Sequence, residues 1–172
     1  LRSTPWRERV AASFDPPQLR RELGAITGVT VRHHPASTAA AMLLVGWLAS
    51  RLRWETRPLL SHGEALVGKA HAGRSSIGRE DVALRLEAAP ELRVPGLEGV
   101  TLETASGRRL RLSRGPGGLR ARSRDAKGQE REWTIPGASR GETGVLGEGI
   151  RQALLRDPTY VPALKAAQSM LP

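Results

Sequence analysis

The hydrophobic positions of this chain change period twice, and the changes divide it into zones. Thr4-Pro5-Trp6-Arg7-Glu8 reads as a helix start: the threonine caps, the proline suits the first turn where a missing N–H costs nothing, and the glutamate faces the positive helix end. Asp15-Pro16-Pro17 ends that helix, and a second short helix is expected from Pro17 to Leu23, closing at Gly24. From Ile26 to His33, Val29 and Val31 alternate with polar neighbours, the period of a half-buried strand. Ser37 or Thr38 then caps the strongest helix, Ala39 to Arg53, which is apolar around almost its whole circumference and so is expected at the centre of the fold. Trp47 and Trp54 share a face if that helix reaches Trp54, and their expected role is core packing.

Residues 55–81 are rich in Gly, Ser, His and Arg, show no clear period, and are expected to form an irregular loop, the least ordered stretch. From Val82 the period becomes two: Val82, Leu84, Leu86; Val100, Leu102; Leu110, Leu112; Leu119, Ala121; Trp133, Ile135. Short alternating runs between turn residues predict an antiparallel meander over 82–136. Beyond Pro136 the helical period returns, with helices expected from Gly144 to Arg156 and from Thr159 to Met170, separated by Asp157-Pro158. The order predicts one α+β domain over residues 1–172: a helix–strand–helix unit (1–54), the loop (55–81), the meander, and a helical pair (137–172), with the helices on one sheet face.

The alternation also fixes a register. If Ala105 to Gly107 is a hairpin loop, Leu102 faces Leu110 and Val100 faces Leu112 inside, while Glu103 meets Arg109 outside. A loop at Gly115-Pro116-Gly117-Gly118 pairs Leu112 with Ala121 and sets Arg111 against Arg122 and Arg109 against Arg124, a mildly unfavourable facing of like charges. A loop from Asp125 to Gln129 puts Trp133 beside Ala121 on the core face, Arg124 opposite Glu130 and Arg122 opposite Glu132. The outer face then carries Arg109, Arg111, Arg120, Arg122 and Arg124 against Glu103, Glu130 and Glu132, leaving two positive charges uncompensated. Two readings stand: a solvated Arg/Glu ladder, each pair worth about 0.2–1 kcal/mol, or a surface that meets an acidic partner or phosphates, since arginine suits bidentate recognition and interface hot spots.

Composition narrows the choice. At 172 residues the chain is long enough for one domain with a real core, and without cysteine it has no disulfide, thiolate metal site or thiol switch. The longest apolar run, Ala39 to Ala49, is too short to span a bilayer, and no signal peptide is visible, so a soluble cytoplasmic protein is expected. Opening at Leu1 and entering a structured-looking segment within four residues fits a piece of a longer protein. The net charge of +10 invites a nucleic-acid reading. Half of that excess lies in residues 100–135, and the rest is thinly spread; 24 of the 27 basic residues are arginine, a skew that a GC-rich genome produces unaided. Single-stranded nucleic acid would also need aromatics among the arginines to stack bases, and the whole chain has six.

Enzyme motifs are weak. Gly63-Glu64-Ala65-Leu66-Val67-Gly68-Lys69-Ala70 approaches G-x-x-x-x-G-K-[ST], but Ala70 supplies no hydroxyl for a metal and no hydrophobic strand precedes Gly63, so the reading is a chance match in a glycine-rich loop. The glycines from Gly137 to Gly149 could present amides to an anion at a helix start, yet their spacing fits no dinucleotide fingerprint and Glu142 and Glu148 would repel phosphate. His33 and His34 point to opposite faces of a strand, and His62 and His71 lie in the loop without a carboxylate cluster, so no metal site is expected. No nucleophile stands at a recognisable spacing from a base and an orienting group.

Four stretches carry a family resemblance: Thr4-Pro5-Trp6-Arg7-Glu8 with Phe14-Asp15; Gly46-Trp47-Leu48-Ala49-Ser50-Arg51-Leu52 with Trp54; Gly141-Glu142-Thr143-Gly144-Val145-Leu146-Gly147-Glu148-Gly149-Ile150; and Asp157-Pro158-Thr159-Tyr160. In this order and spacing the chain resembles the C-terminal domain of the OpcA family of glucose-6-phosphate dehydrogenase assembly proteins, nearly end to end, with residues 60–95 contributing little. The resemblance implies a non-catalytic, cofactor-free protein without a small-molecule substrate of its own. It would bind glucose-6-phosphate dehydrogenase, promote its active oligomer and support NADPH production in the oxidative pentose phosphate pathway. Family members carry a preceding domain, and the family's thioredoxin-type redox link cannot act through a cysteine-free segment. No binding residues transfer position by position. From the residues alone, the nominated partner surface is the arginine face of the meander, with the Gly141 to Gly149 turn second and a basic nucleic-acid-binding module as the alternative.

Overall fold

A computed structural model of the chain describes residues 4–73, 81–116, 118–136 and 157–171. Four helices are found among them: α1 (Thr4–Ser13), α2 (Pro17–Leu23), α3 (Thr38–Leu52) and α4 (Tyr160–Gln168). The strands are β1 (Ile26–His33), β2 (Trp54–Thr56), β3 (Leu60–His62), β4 (Ala65–Ala72), β5 (Asp81–Ala88), β6 (Leu97–Thr104), β7 (Arg109–Gly115), β8 (Gly118–Arg124) and β9 (Glu130–Pro136). All join one sheet in the order β2-β4-β5-β1-β6-β7-β8-β9, with β3 pairing β4 beside β2. The β1–β5 pairing is parallel and the other pairings are antiparallel. The expected α+β class holds. The expected helix from Gly144 to Arg156 and the Gly141 to Gly149 turn lie outside the described residues.

The alternation from β6 to β9 does what its period requires. Leu102 pairs Leu110, Val100 pairs Leu112, Leu112 pairs Ala121 and Ala121 pairs Trp133, as the register argument predicts. The β7–β8 turn is tighter than expected, since Gly115 and Gly118 already pair as strand residues. The meander also begins later than expected. β5 is not the neighbour of β6: β1 stands between them, parallel to β5 and antiparallel to β6. Alternation reports which face a residue takes, not which strand lies beside it. Residues 89–96 carry the chain across the end of β1, tied there by Ala89 N donating to His33 O (2.8 Å) and His34 N donating to Gly96 O (2.9 Å).

The stretch expected to be an irregular loop instead holds β2, β3 and β4. Its period is hidden because the core-facing positions of β4 are small: Leu66, Gly68 and Ala70 pair with Leu86, Leu84 and Val82. The missing side chain at Gly68 admits Leu59, fully buried; a Cβ there would lie 2.6 Å from Leu59 Cδ2. α3 stops at Leu52 because Arg53 turns left-handed (φ 58°), its N–H donating to Ala49 O. Trp54 therefore starts β2 instead of extending the helix, and it is buried, while Trp47 is half-buried. Ser37 takes the N-cap position without capping; its Oγ accepts from Gly96 N at 2.8 Å.

α3 packs on β1 and β5, and α4 packs on α3 and β2. Between helices and sheet lie Leu44, Leu84, Leu102 and Leu112, each at most 1% exposed and each worth about 1.5–3 kcal/mol of burial. Trp133 departs from expectation. Its backbone faces the predicted way, but it is 38% exposed, because β9 is the last strand of the sheet. No helix among the described residues is long and apolar enough to cross a membrane.

Candidate functional site

With the helices on one face, the pairing carries polar side chains onto the other in rows that run across seven strands. One row reads Lys69, Ala83, Gly28, Glu103, Arg109, Arg124, Glu130; the next reads Val67, Arg85, Thr30, Thr101, Arg111, Arg122, Glu132. The strands that place these residues do so because every second position is apolar and buried, as in β5, where Val82, Leu84 and Leu86 point inward and Ala83 and Arg85 outward.

All five nominated arginines reach this face, and each is exposed. The structure sorts them by partner. Arg109 Nε lies 3.3 Å from Glu103. Glu132 serves two arginines, Arg120 at 3.1 Å and Arg122 at 2.9 Å. The hydrogen bond from Arg122 to Glu132, with the Glu132 and Glu130 charges, raises the Arg122 pKa above its ordinary value and keeps that guanidinium charged. Arg111 and Arg124 have no ion-pair or hydrogen-bond partner among the described residues, although Arg124 sits opposite Glu130 in register. The sequence count of two uncompensated charges thus resolves to two named residues. Each stands beside another arginine, Arg111 beside Arg122 and Arg124 beside Arg109, so the sheet carries like-charge repulsion that an incoming anion would relieve.

The face is bipolar. At its β1–β5 side Arg32 gathers three carboxylates: Glu91 (2.6 Å), Glu98 (3.4 Å) and Glu87 (3.8 Å). Between this cluster and the arginines lies a depression of about 160 Å³, with Thr30, Gly99 and Thr101 among its lining residues. These residues escaped the sequence reading. The period-two pattern around Val29 and Val31 places Thr30 and Arg32 outward, but only the insertion of β1 beside β6 brings them to Thr101 and Arg111.

The other candidate chemistry dissolves in the fold. Gly63 to Ala70 forms a hairpin turn (Gly63 φ +61°) and strand β4, and Lys69 sits on that strand 3.5 Å from Asp81; no helix follows to present amides to a phosphate. His71 lies on β4 instead of in a loop, with Nδ1 3.3 Å from Asp81. This hydrogen bond leads in lowering the Asp81 pKa, with Lys69 adding to it against the opposing effect of burial. His33 is buried, its Nδ1 2.8 Å from His34 O, and His34 Nδ1 accepts from Ala36 N. No group of three or more His, Asp or Glu side chains suited to a metal occurs among the described residues.

Comparison with known proteins gives this face a context. A family model described as the C-terminal domain of a glucose-6-phosphate dehydrogenase subunit matches residues 1–164. The putative OxPP cycle protein OpcA of Synechocystis sp. is 40% identical over 53 residues, which are 31% of this chain and 11% of that protein. The protein of the same description from Nostoc punctiforme is 41% identical over 54 residues, 31% of this chain and 12% of the relative. The matched segment therefore spans little more than a tenth of either relative. An oxidoreductase from Sinorhizobium meliloti superimposes with a TM-score of 0.52 at 15% identity, over 94% of this chain and 55% of that one, which establishes a shared fold. Since the family match runs through 164 of 172 residues, the chain belongs to the OpcA family, as the C-terminal domain of this glucose-6-phosphate dehydrogenase subunit.

Proposed function

We propose that this chain is the docking part of a cytoplasmic, non-catalytic assembly factor that binds glucose-6-phosphate dehydrogenase and favours its active oligomer, with the arginine face of β7 and β8 as the contact. The observation that carries the reading is the family match over residues 1–164; the relatives named as OxPP cycle proteins support it. Activation follows from differential binding. A docking body shifts its partner toward the competent form only by as much as it binds that form better than the other. An open face with two arginines free of internal partners is suited to this, because those groups lose no existing ion pair on meeting an acidic surface. The face carries no Phe, Tyr or Trp in its two central rows, so it offers no platform for stacking bases.

The test is charge reversal where it disturbs nothing else. Arg111→Glu with Arg124→Glu is preferable to a change at Arg122, which would also release Glu132. The double variant is expected to bind the enzyme about tenfold more weakly, a change of about 1.4 kcal/mol, and to flatten the dependence of affinity on salt. Calorimetric titration of the purified enzyme at two ionic strengths reads both. Unchanged affinity at low and moderate salt would eliminate this face, and absence of any binding by the unaltered chain would remove the docking role itself.

A further inference from the structure

The depression in the open face has a property the docking role does not require: its unengaged polar groups are all donors. Its acids are occupied, Glu98 and Glu87 being held on Arg32, and Arg109 is held by Glu103. Three groups then remain without a hydrogen-bond or ion-pair partner among the described residues: the Arg111 guanidinium and the hydroxyls of Thr30 and Thr101. Register brings them together, since Thr30 pairs with Thr101 and Thr101 with Arg111. The volume of about 160 Å³ equals roughly five waters' share of liquid, room for one phosphoryl group.

We infer that this depression is a binding site for the phosphoryl group of a small molecule, with Arg111 as the bidentate cation and Thr30 and Thr101 as hydroxyl donors. Three separate donor groups match the several oxygens of a phosphate better than the two of a carboxylate, and arginine's fork fits two of them at once. Charge places the ligand on the Arg111 side. Across the depression the Arg32 cluster is net acidic and repels it, while the Arg111–Arg122 juxtaposition is relieved by it. Gly99 leaves space between Arg32 and Ser113, its register neighbours.

The site is testable on this chain alone, without the enzyme. Backbone amide NMR shifts are followed while inorganic phosphate, and separately methyl phosphate, replaces chloride at constant ionic strength. Saturable shifts centred on Thr30, Thr101 and Arg111 are expected. Saturation by both probes assigns the site to a terminal phosphoryl ester; saturation by inorganic phosphate only assigns it to the free ion. Arg111→Gln should weaken binding about tenfold and Thr101→Val about threefold, whereas Lys69→Gln, which removes the same charge elsewhere on the face, should change it less than twofold. Shifts that rise linearly with either probe, or a loss as large in Lys69→Gln as in Arg111→Gln, would show mere screening and overturn the site. Thr101→Val separates this inference from the docking role, for it removes a phosphate donor and no charge.

Discussion

Replacing Gly46 by alanine is expected to destabilise the protein by about 2–3 kcal/mol, although alanine is the better helix former. Gly46 lies in α3 where α4 crosses it, and a Cβ at that position would stand 2.3 Å from Ala163 O, 2.9 Å from Ala167 N and 3.2 Å from Ala167 Cβ. Two of these are backbone atoms, which no rotamer change can move aside. α4 must retreat as a unit, and with it Ala163, Ala167 and Met170, all buried, as well as the bond from Thr56 Oγ1 to Ala166 O (2.9 Å) and that from Leu59 N to Met170 O (3.0 Å). Overpacking of this kind costs about 1–3 kcal/mol and sometimes more; the helix-propensity gain of about 1 kcal/mol offsets part of it. At about 2–4 °C per kcal/mol for a chain of this size, Tm should fall by about 4–12 °C. Gly68→Ala provides the contrast. There the obstacle at 2.6 Å is the end of the Leu59 side chain, which can rotate, so the loss should be smaller. Thermal and urea melts that rank Gly46→Ala equal to or more stable than the unaltered chain would contradict the close α3–α4 approach.

That approach could not be read from the sequence, whereas the strand registers could, and the difference is physical. In β6 to β9 every second side chain is apolar and glycine-containing turns punctuate the runs, so a one-residue slip would bury Arg111 or Glu132, and only one register survives. The same logic located the arginine face. It failed in β4 because Gly68 and Ala70 face the core while carrying almost no hydrophobic signal. It failed for the neighbour of β6 because choosing β1 depends on a contact between distant parts of the chain, made after α3 has crossed the sheet. The depression inherits that limit: Thr30, Arg32 and Arg111 were each legible as outward-facing, and their meeting was not. Trp133 shows the converse. Alternation assigned its face correctly, but burial depends on what covers that face at the sheet's last strand.

A second large effect is expected at the join between the two ends of the chain. Asp157 precedes α4, where Oδ1 accepts from Thr159 N (2.9 Å) and Thr159 Oγ1 (2.7 Å), and Oδ2 accepts from Arg7 Nη1 of α1 (3.0 Å). The Arg7 side chain is only 11% exposed, its Nη2 donates to Thr4 Oγ1 (2.9 Å), and its Nε has no acceptor. Asp157→Ala therefore leaves a largely buried guanidinium without its counter-ion and α4 without a carboxylate at its positive end. Breaking a fully buried pair costs about 3–5 kcal/mol; the 27% exposure of Asp157 reduces this, and about 2–3 kcal/mol is expected. Asp157→Asn keeps an acceptor for Thr159 and should lose less. pH supplies an independent check. Burial raises the Asp157 pKa, but the hydrogen bonds from Thr159 and Arg7, with the Arg7 charge, outweigh it and leave the carboxyl below its ordinary value. A group whose folded pKa is depressed stabilises the fold fully above the unfolded carboxylate pKa, near pH 4, and loses that contribution as pH falls through the lower folded value. The stability gap between the unaltered chain and Asp157→Asn should be constant from about pH 8 to 5 and shrink below about pH 4. A gap that persists undiminished into acid would mean that the carboxylate's charge is not what Arg7 requires, and a double-mutant cycle with Arg7→Met would then return no coupling.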